Sequence, residues 1–122
     1  MEGLSKISYQ GKEIIYVDYS SFGFDKEKAL KLINASTEEY MKHPAKSVLA
    51  LVNVSNLHFD SDIINLMKQT KEKTIPYEKK IAIIGMKGLQ KVAYNFVTSL
   101  TQRDVVKVLD TELEAKEWLV QN

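Results

Sequence analysis

The sequence predicts a single α/β domain: a mixed sheet of about five strands flanked by helices, in the order β-β-α-β-α-β-α-β-α. Three observations predict it. Val48 to Val52 and Ile81 to Ile84 are continuously apolar and bounded by polar residues, the pattern of strands covered on both faces. Segments of helical hydrophobic period lie between and after them. A short β-favouring pair with glycine at its bend opens the chain. A length of 122 residues suits one core. No repeat, proline-rich spacer or single-sign charge block divides it, so residues 1–122 are read as one domain.

The elements follow in order. Ile7 to Tyr9 and Glu13 to Asp18, with Gln10-Gly11-Lys12 between, read as a hairpin, and Ser20-Ser21-Phe22-Gly23 breaks the pattern. From about Asp25 to His43, Leu30, Ile33, Tyr40 and Met41 recur at helical spacing. Asp25 and Glu27 suit the positive end of that helix and Lys42 and His43 its negative end, while Pro44 stops it. After the Val48 strand, Asp60 or Ser61 caps a helix to about Thr74 with Ile63, Ile64 and Met67 inward, closed by Pro76. The Ile81 strand ends at Gly85. A helix from Gly88 to about Thr101 carries the apolar stripe Leu89, Val92, Ala93, Phe96, Val97 and Leu100. Val105 to Leu109 is the last strand. Thr111-Glu112-Leu113-Glu114 is a capping box opening a helix through Trp118 and Leu119. Alternating strands and helices call for parallel neighbours joined by helical crossovers.

Composition narrows the function. The chain is 44% hydrophobic and 27% charged, a globular balance. Seventeen basic residues against sixteen acidic leave +1, which argues against nucleic acid as a partner. The absence of cysteine excludes disulfides, thiolate catalysis and cysteine-ligated zinc. No apolar run approaches the ~20 residues of a membrane span, and the first residues lack a signal-peptide pattern. A cytoplasmic location is the default expectation.

Three stretches in this order resemble a known superfamily. They are Ser47-Val48-Leu49-Ala50-Leu51-Val52-Asn53-Val54-Ser55-Asn56-Leu57 followed by His58-Phe59-Asp60-Ser61-Asp62; Lys80-Ile81-Ala82-Ile83-Ile84-Gly85; and Val108-Leu109-Asp110-Thr111-Glu112-Leu113-Glu114-Ala115-Lys116-Glu117-Trp118-Leu119. Their arrangement is similar to the STAS fold of sulphate-transporter tails and anti-sigma-factor antagonists, and most similar to its divergent SpoIIAA-like branch. The resemblance implies a regulatory, protein-binding domain. In the antagonists, the second serine of Asp-Ser-Ser-Gly accepts phosphate from a kinase. Aligned without gaps, Asp60 matches the aspartate and Ser61 the first serine, Asp62 stands at the phosphoacceptor and Ile63 replaces the glycine. The intact phosphoacceptor motif is therefore missing. Asp62 either mimics a permanently phosphorylated site or simply stabilises the first helical turn, and Ser61 is the remaining hydroxyl that could take phosphate.

Other residues carry candidate chemistry. Gly85, Lys87 and Gly88, between a strand and a helix, either hold an anion on outward amides or serve a tight strand exit and a close helix start. Neither a P-loop nor a dinucleotide fingerprint is present. His58, near the carboxyl end of a buried strand, can pair with Asp60 or lie as a surface residue, whereas His43 suits a helix end. Two such residues are too few for a metal site. Most of the six tyrosines are expected as cover at the core edge, and Trp118 as a core anchor.

With no catalytic constellation and no implied cofactor or metal, the leading expectation is a non-enzymatic interaction or regulatory domain. It binds a protein partner, or a second copy, through His58, Asp60, Ser61, Asp62 and Ile63. The competing expectation is a small-ligand domain, for an anion such as phosphate at Gly85, Lys87 and Gly88, or for a lipid-like apolar molecule held under the helices.

Overall fold

Two residues in the left-handed region set the first bend of the chain. Gln10 (φ 49°) and Gly11 (φ 79°) form the two-residue turn whose twist suits antiparallel strands. It joins β1 (Leu4–Tyr9) to β2 (Lys12–Asp18), with Tyr9 opposite Lys12 and Leu4 opposite Val17. The remaining elements of the computed structural model, which describes residues 1–121, are α1 (Lys26–Tyr40), β3 (Val48–Asn53), α2 (Ser61–Thr74), β4 (Glu78–Ile84), α3 (Lys91–Ser99), β5 (Val106–Val108) and α4 (Glu112–Val120), with single 3-10 turns at Ile75–Tyr77 and Leu100–Gln102.

The five strands lie in sequence order, β1-β2-β3-β4-β5, and every pair after the hairpin is parallel. This is the mixed, five-stranded α/β architecture predicted from the sequence. Stepping always to the next strand with crossovers of one hand puts their helices on one face. Accordingly Ile15, Val17, Ala50, Ile81 and Ile83 pack beneath Leu32, Ile33, Ile63, Phe96 and Val97 of α1, α2 and α3. The alternate residues Ile14, Leu49, Leu51, Ala82 and Ile84 meet Ala115 and Leu119 of α4 on the other face. That double cover is why β3 and β4 read as unbroken apolar runs.

The helix faces depart from the sequence reading in instructive ways. α1 buries Ala29, Leu32, Ile33, Ser36, Thr37 and Tyr40, while Met41 is 44% exposed and lies past the helix with Lys42 and His43. Ser36 and Thr37 can be buried because both hydroxyls donate to the Ile33 carbonyl, at 3.0 and 2.8 Å. α3 begins at Lys91 rather than Gly88 and ends at Ser99, and Val92 is 68% exposed. Tyr19 and Tyr40 are core residues instead of edge cover, and burial pushes both phenols upward. Trp118 is only half-buried, with the Lys80 ammonium 5.1 Å from its ring centre. At the end of α4, Lys80 Nζ donates to the Trp118 and Gln121 carbonyls at 3.0 and 2.7 Å, and Lys12 Nζ to the Val120 carbonyl at 3.1 Å. Two cations thus complete the negative end of the helix.

Gly85 holds two loops together. Its φ is +88°, and an added Cβ would meet the Ser55 hydroxyl, with the Ser55 nitrogen at 2.5 Å and Asn53 Oδ1 at 2.8 Å. Gly11 has a similar φ and open space around it. Gly11→Ala should therefore cost about 1 kcal/mol from backbone strain alone. Gly85→Ala should cost more than about 2 kcal/mol, because the clash adds to the strain. Urea unfolding of the two variants measures the difference directly.

Candidate functional site

The carboxyl ends of β2, β3 and β4 release three loops on one rim of the sheet. Backbone bonds stitch them together: the Tyr19 N–H donates to the Asn53 carbonyl at 2.9 Å, and Val54 N–H to the Ile84 carbonyl at 3.0 Å. The His58 N–H crosses to the Gly23 carbonyl at 2.9 Å. Side chains reinforce the loop starts, since Asp18 Oδ1 accepts from the Ser20 amide and Asn53 Oδ1 from the Ser55 amide. Asn56 takes the left-handed conformation, with φ 62°, as asparagine does in tight turns.

This stitching brings His58 against Phe24. Their rings stack with centres 4.4 Å apart at 30°, although Phe24 is 82% exposed. Beside the pair is a pocket of about 200 Å³ between Leu57, Phe59, Leu89 and Ala93, with Lys87, Gly88 and Gln90 on its far wall. Two sequence candidates, His58 and the Lys87-Gly88 turn, thus share one pocket. Gly85 faces away, onto Ser55 and Asn53. Gly88 has open space rather than a close helix start, because α3 begins three residues later, at Lys91, after an N-cap at Gln90.

The acidic segment has a different neighbour. Asp60 is the N-cap of α2, with Oδ1 accepting from the Ile63 amide at 2.9 Å. Lys26 of α1 reaches over to Asp62 Oδ2 at 2.9 Å and Asp60 Oδ2 at 3.5 Å. Ser61 and Asp62 are exposed, whereas Ile63 is 1% exposed and holds the turn from beneath instead of offering a contact. His58 therefore stacks on an aromatic ring, and the cation that joins Asp60 is Lys26. His43, at the opposite end of α1, meets Glu39 Oε2 at 2.9 Å, and that contact holds the Glu39 carboxyl below its ordinary value. No group of three or more histidine or acidic side chains among the described residues is placed to hold a metal ion.

A second space lies inside the domain. A cavity of about 110 Å³ lies locally between the sheet and the three crossover helices, walled by Ile33, Val54, Phe59, Ile83, Phe96 and Val97. Its polar end is a charged cluster that the sequence reading missed. The Glu78 side chain is 1% exposed and accepts from Lys71 at 3.0 Å, Thr74 at 2.9 Å and Arg103 at 2.7 Å. Burial pushes the Lys71 ammonium downward, and Glu78 opposes that. No buried side-chain nitrogen or oxygen among the described residues lacks a partner.

Compared with known proteins, the chain matches no family model, no curated protein and no solved structure. Among the described residues, no helix is long and apolar enough to cross a membrane.

The Ile63 amide bond, aided by Lys26 and partly opposed by desolvation, holds the Asp60 carboxyl below its ordinary value. A depressed folded-state value means stabilisation that is present above the ordinary carboxylate range and lost as pH falls through it. Asp60→Ala should therefore lower the urea midpoint at neutral pH, and the gap from the parent protein should shrink on descending below about pH 4.

Proposed function

We propose that this chain is a non-enzymatic interaction domain of STAS-like type, recognising a protein partner through the rim formed by Phe24, Asn56, His58 and Lys87. The observation that carries the reading is the Phe24–His58 stack, a large aromatic side chain left 82% exposed beside a concave pocket of mixed apolar and polar lining. Such aromatic anchors next to pockets are where binding energy concentrates in protein interfaces. Lys87 borders the pocket side of the rim, so the matching partner segment carries an apolar anchor followed by an acidic residue. The resemblance to the SpoIIAA-like branch supports the same class, as do the near-neutral charge and the absence of cysteine.

Within this reading the Asp60-Ser61-Asp62 turn has a structural part. Lys26 pairs with both carboxylates and so joins the starts of α1 and α2. Asp62 holds that lysine with a permanent charge, where a phosphoserine in the antagonists would supply a switchable one.

The test uses a photo-crosslinking amino acid at Asn56, exposed on the rim, and a control at Leu113 on α4, exposed on the other face. Irradiation in cells should give a discrete adduct from position 56 alone. Phe24→Ala should reduce it by about tenfold or more, the scale of an aromatic hot spot, with the melting temperature unchanged. Equal labelling from both positions, or an adduct indifferent to Phe24→Ala, overturns the proposal. Sedimentation of the purified chain tells a second copy from a different partner.

A further inference from the structure

The cavity under the crossover helices has a chemistry of its own, independent of the rim. Its walls are drier than their composition suggests. Thr37 donates its hydroxyl to the Ile33 carbonyl and Thr70 to the Leu66 carbonyl, at 2.8 and 3.0 Å. Both hydroxyls are thus engaged with their own helices, as is that of Ser36 with the Ile33 carbonyl, which lowers the demand for a water partner along those walls. A dry cavity of roughly 150 Å³ accepts a benzene-sized guest, and this one measures about 110 Å³. A guest must therefore be compact, and a long acyl chain exceeds the space.

One end is strongly cationic. Glu78 spends one oxygen on Arg103 and the other on Lys71 and Thr74. Two positive groups meet one negative group, leaving a surplus of one positive charge beside an apolar chamber. Lys71 Nζ uses one of its three donors on Glu78. Lys68 adds a further cation on the same helix, 5.9 Å from the centre of the Phe96 ring that walls the chamber. Val52, Met67, Lys71 and Leu100 are the half-exposed members of the lining; the last three lie on α2 and just after α3, so the way in runs between those elements. An amine entering there would meet Lys71, while Glu78, the one carboxylate of the lining, already spends both oxygens. An inorganic anion would leave the chamber unfilled.

We propose that this chamber binds a small monocarboxylate with a compact apolar body, its carboxylate paired with Lys71 while Arg103 and Thr74 retain Glu78. A charge-assisted bond in a partly desolvated mouth outweighs one to a neutral hydroxyl.

The test is methyl-resolved NMR titration of the purified chain with isobutyrate, whose apolar body is smaller than a benzene ring, and, as the neutral counterpart of similar bulk, isobutanol. Isobutyrate should move the Ile33, Ile83 and Val97 methyl resonances saturably and bind at least about tenfold more tightly than the alcohol. Lys71→Met keeps Glu78 paired with Arg103 and Thr74, so it should fold. It should erase the preference for isobutyrate while sparing the alcohol. Val97→Phe should fill the chamber and abolish both. Absence of saturable shifts with either compound, equal affinity of the parent for both, or an isobutyrate preference that survives Lys71→Met each overturns the proposal. None of these outcomes bears on crosslinking at the rim.

Discussion

The fold rests on one requirement: β3 and β4 are apolar on both sides and must be covered on both. Val48, Ala50, Ile81 and Ile83 need one set of partners, and Leu49, Leu51, Ala82 and Ile84 another. Crossovers of one hand supply the first set through α1, α2 and α3, but consecutive strand order leaves the second face open. Only a terminal helix that does not cross back into the sheet can close it. α4 meets that need with two small contacts, Ala115 and Leu119, and with the lysines that anchor its end. The loops on the rim, by contrast, are fixed by hydrogen bonds to backbone and short polar side chains more than by burial. That frees Phe24 and His58 to face solvent while their backbones stay in place.

The two proposed sites divide the labour of the same three helices. At the rim the helix starts are drawn together by Lys26 with Asp60 and Asp62, and at the far end of α2 by Lys71 with Glu78. The first cluster is exposed and screened by water, so it is worth little energetically and is open to a binding partner. The second is enclosed. Removing Glu78 leaves Lys71 and Arg103 facing one another without compensation in a poorly solvated place, which makes the cluster costly to break at its centre. α1 and α2 lie against one another, whereas α2 and α3 make few close contacts. The seam between them is therefore the softer side of the helical layer.

Much of the architecture could be read from hydrophobic period, because strands buried on both faces and a capping box at Thr111 are local signals. The cap is observed as read, with the Thr111 hydroxyl accepting from the Glu114 amide at 3.1 Å. What escaped was non-local or hidden by residue type. Ser36 and Thr37 count as polar in any hydropathy reading, yet their hydroxyls are satisfied within α1, so the inner face of that helix was placed too far toward Met41. Val92 joined an apolar stripe broader than a helix as short as α3 can bury. The cluster around Glu78 draws on residues 25 positions apart, and the charges of Glu78, Lys79 and Lys80 concealed the first half of β4. Phe24 was legible in principle, since an aromatic between Gly23 and Asp25 falls in no periodic segment. His58 and Lys87-Gly88 were singled out one by one, and their meeting in one pocket depends on strand order.

The bond from Lys12 to the Val120 carbonyl joins positions 108 apart in the chain. During synthesis the ribosome releases the hairpin long before the helix it grips. Until α4 emerges, Ile14, Leu51 and Ile84 form a bare greasy strip along the sheet, open to chaperones or to sticking. The last turn of α4 thus acts as a latch, and a chain interrupted just short of it keeps that apolar strip in place of a finished surface.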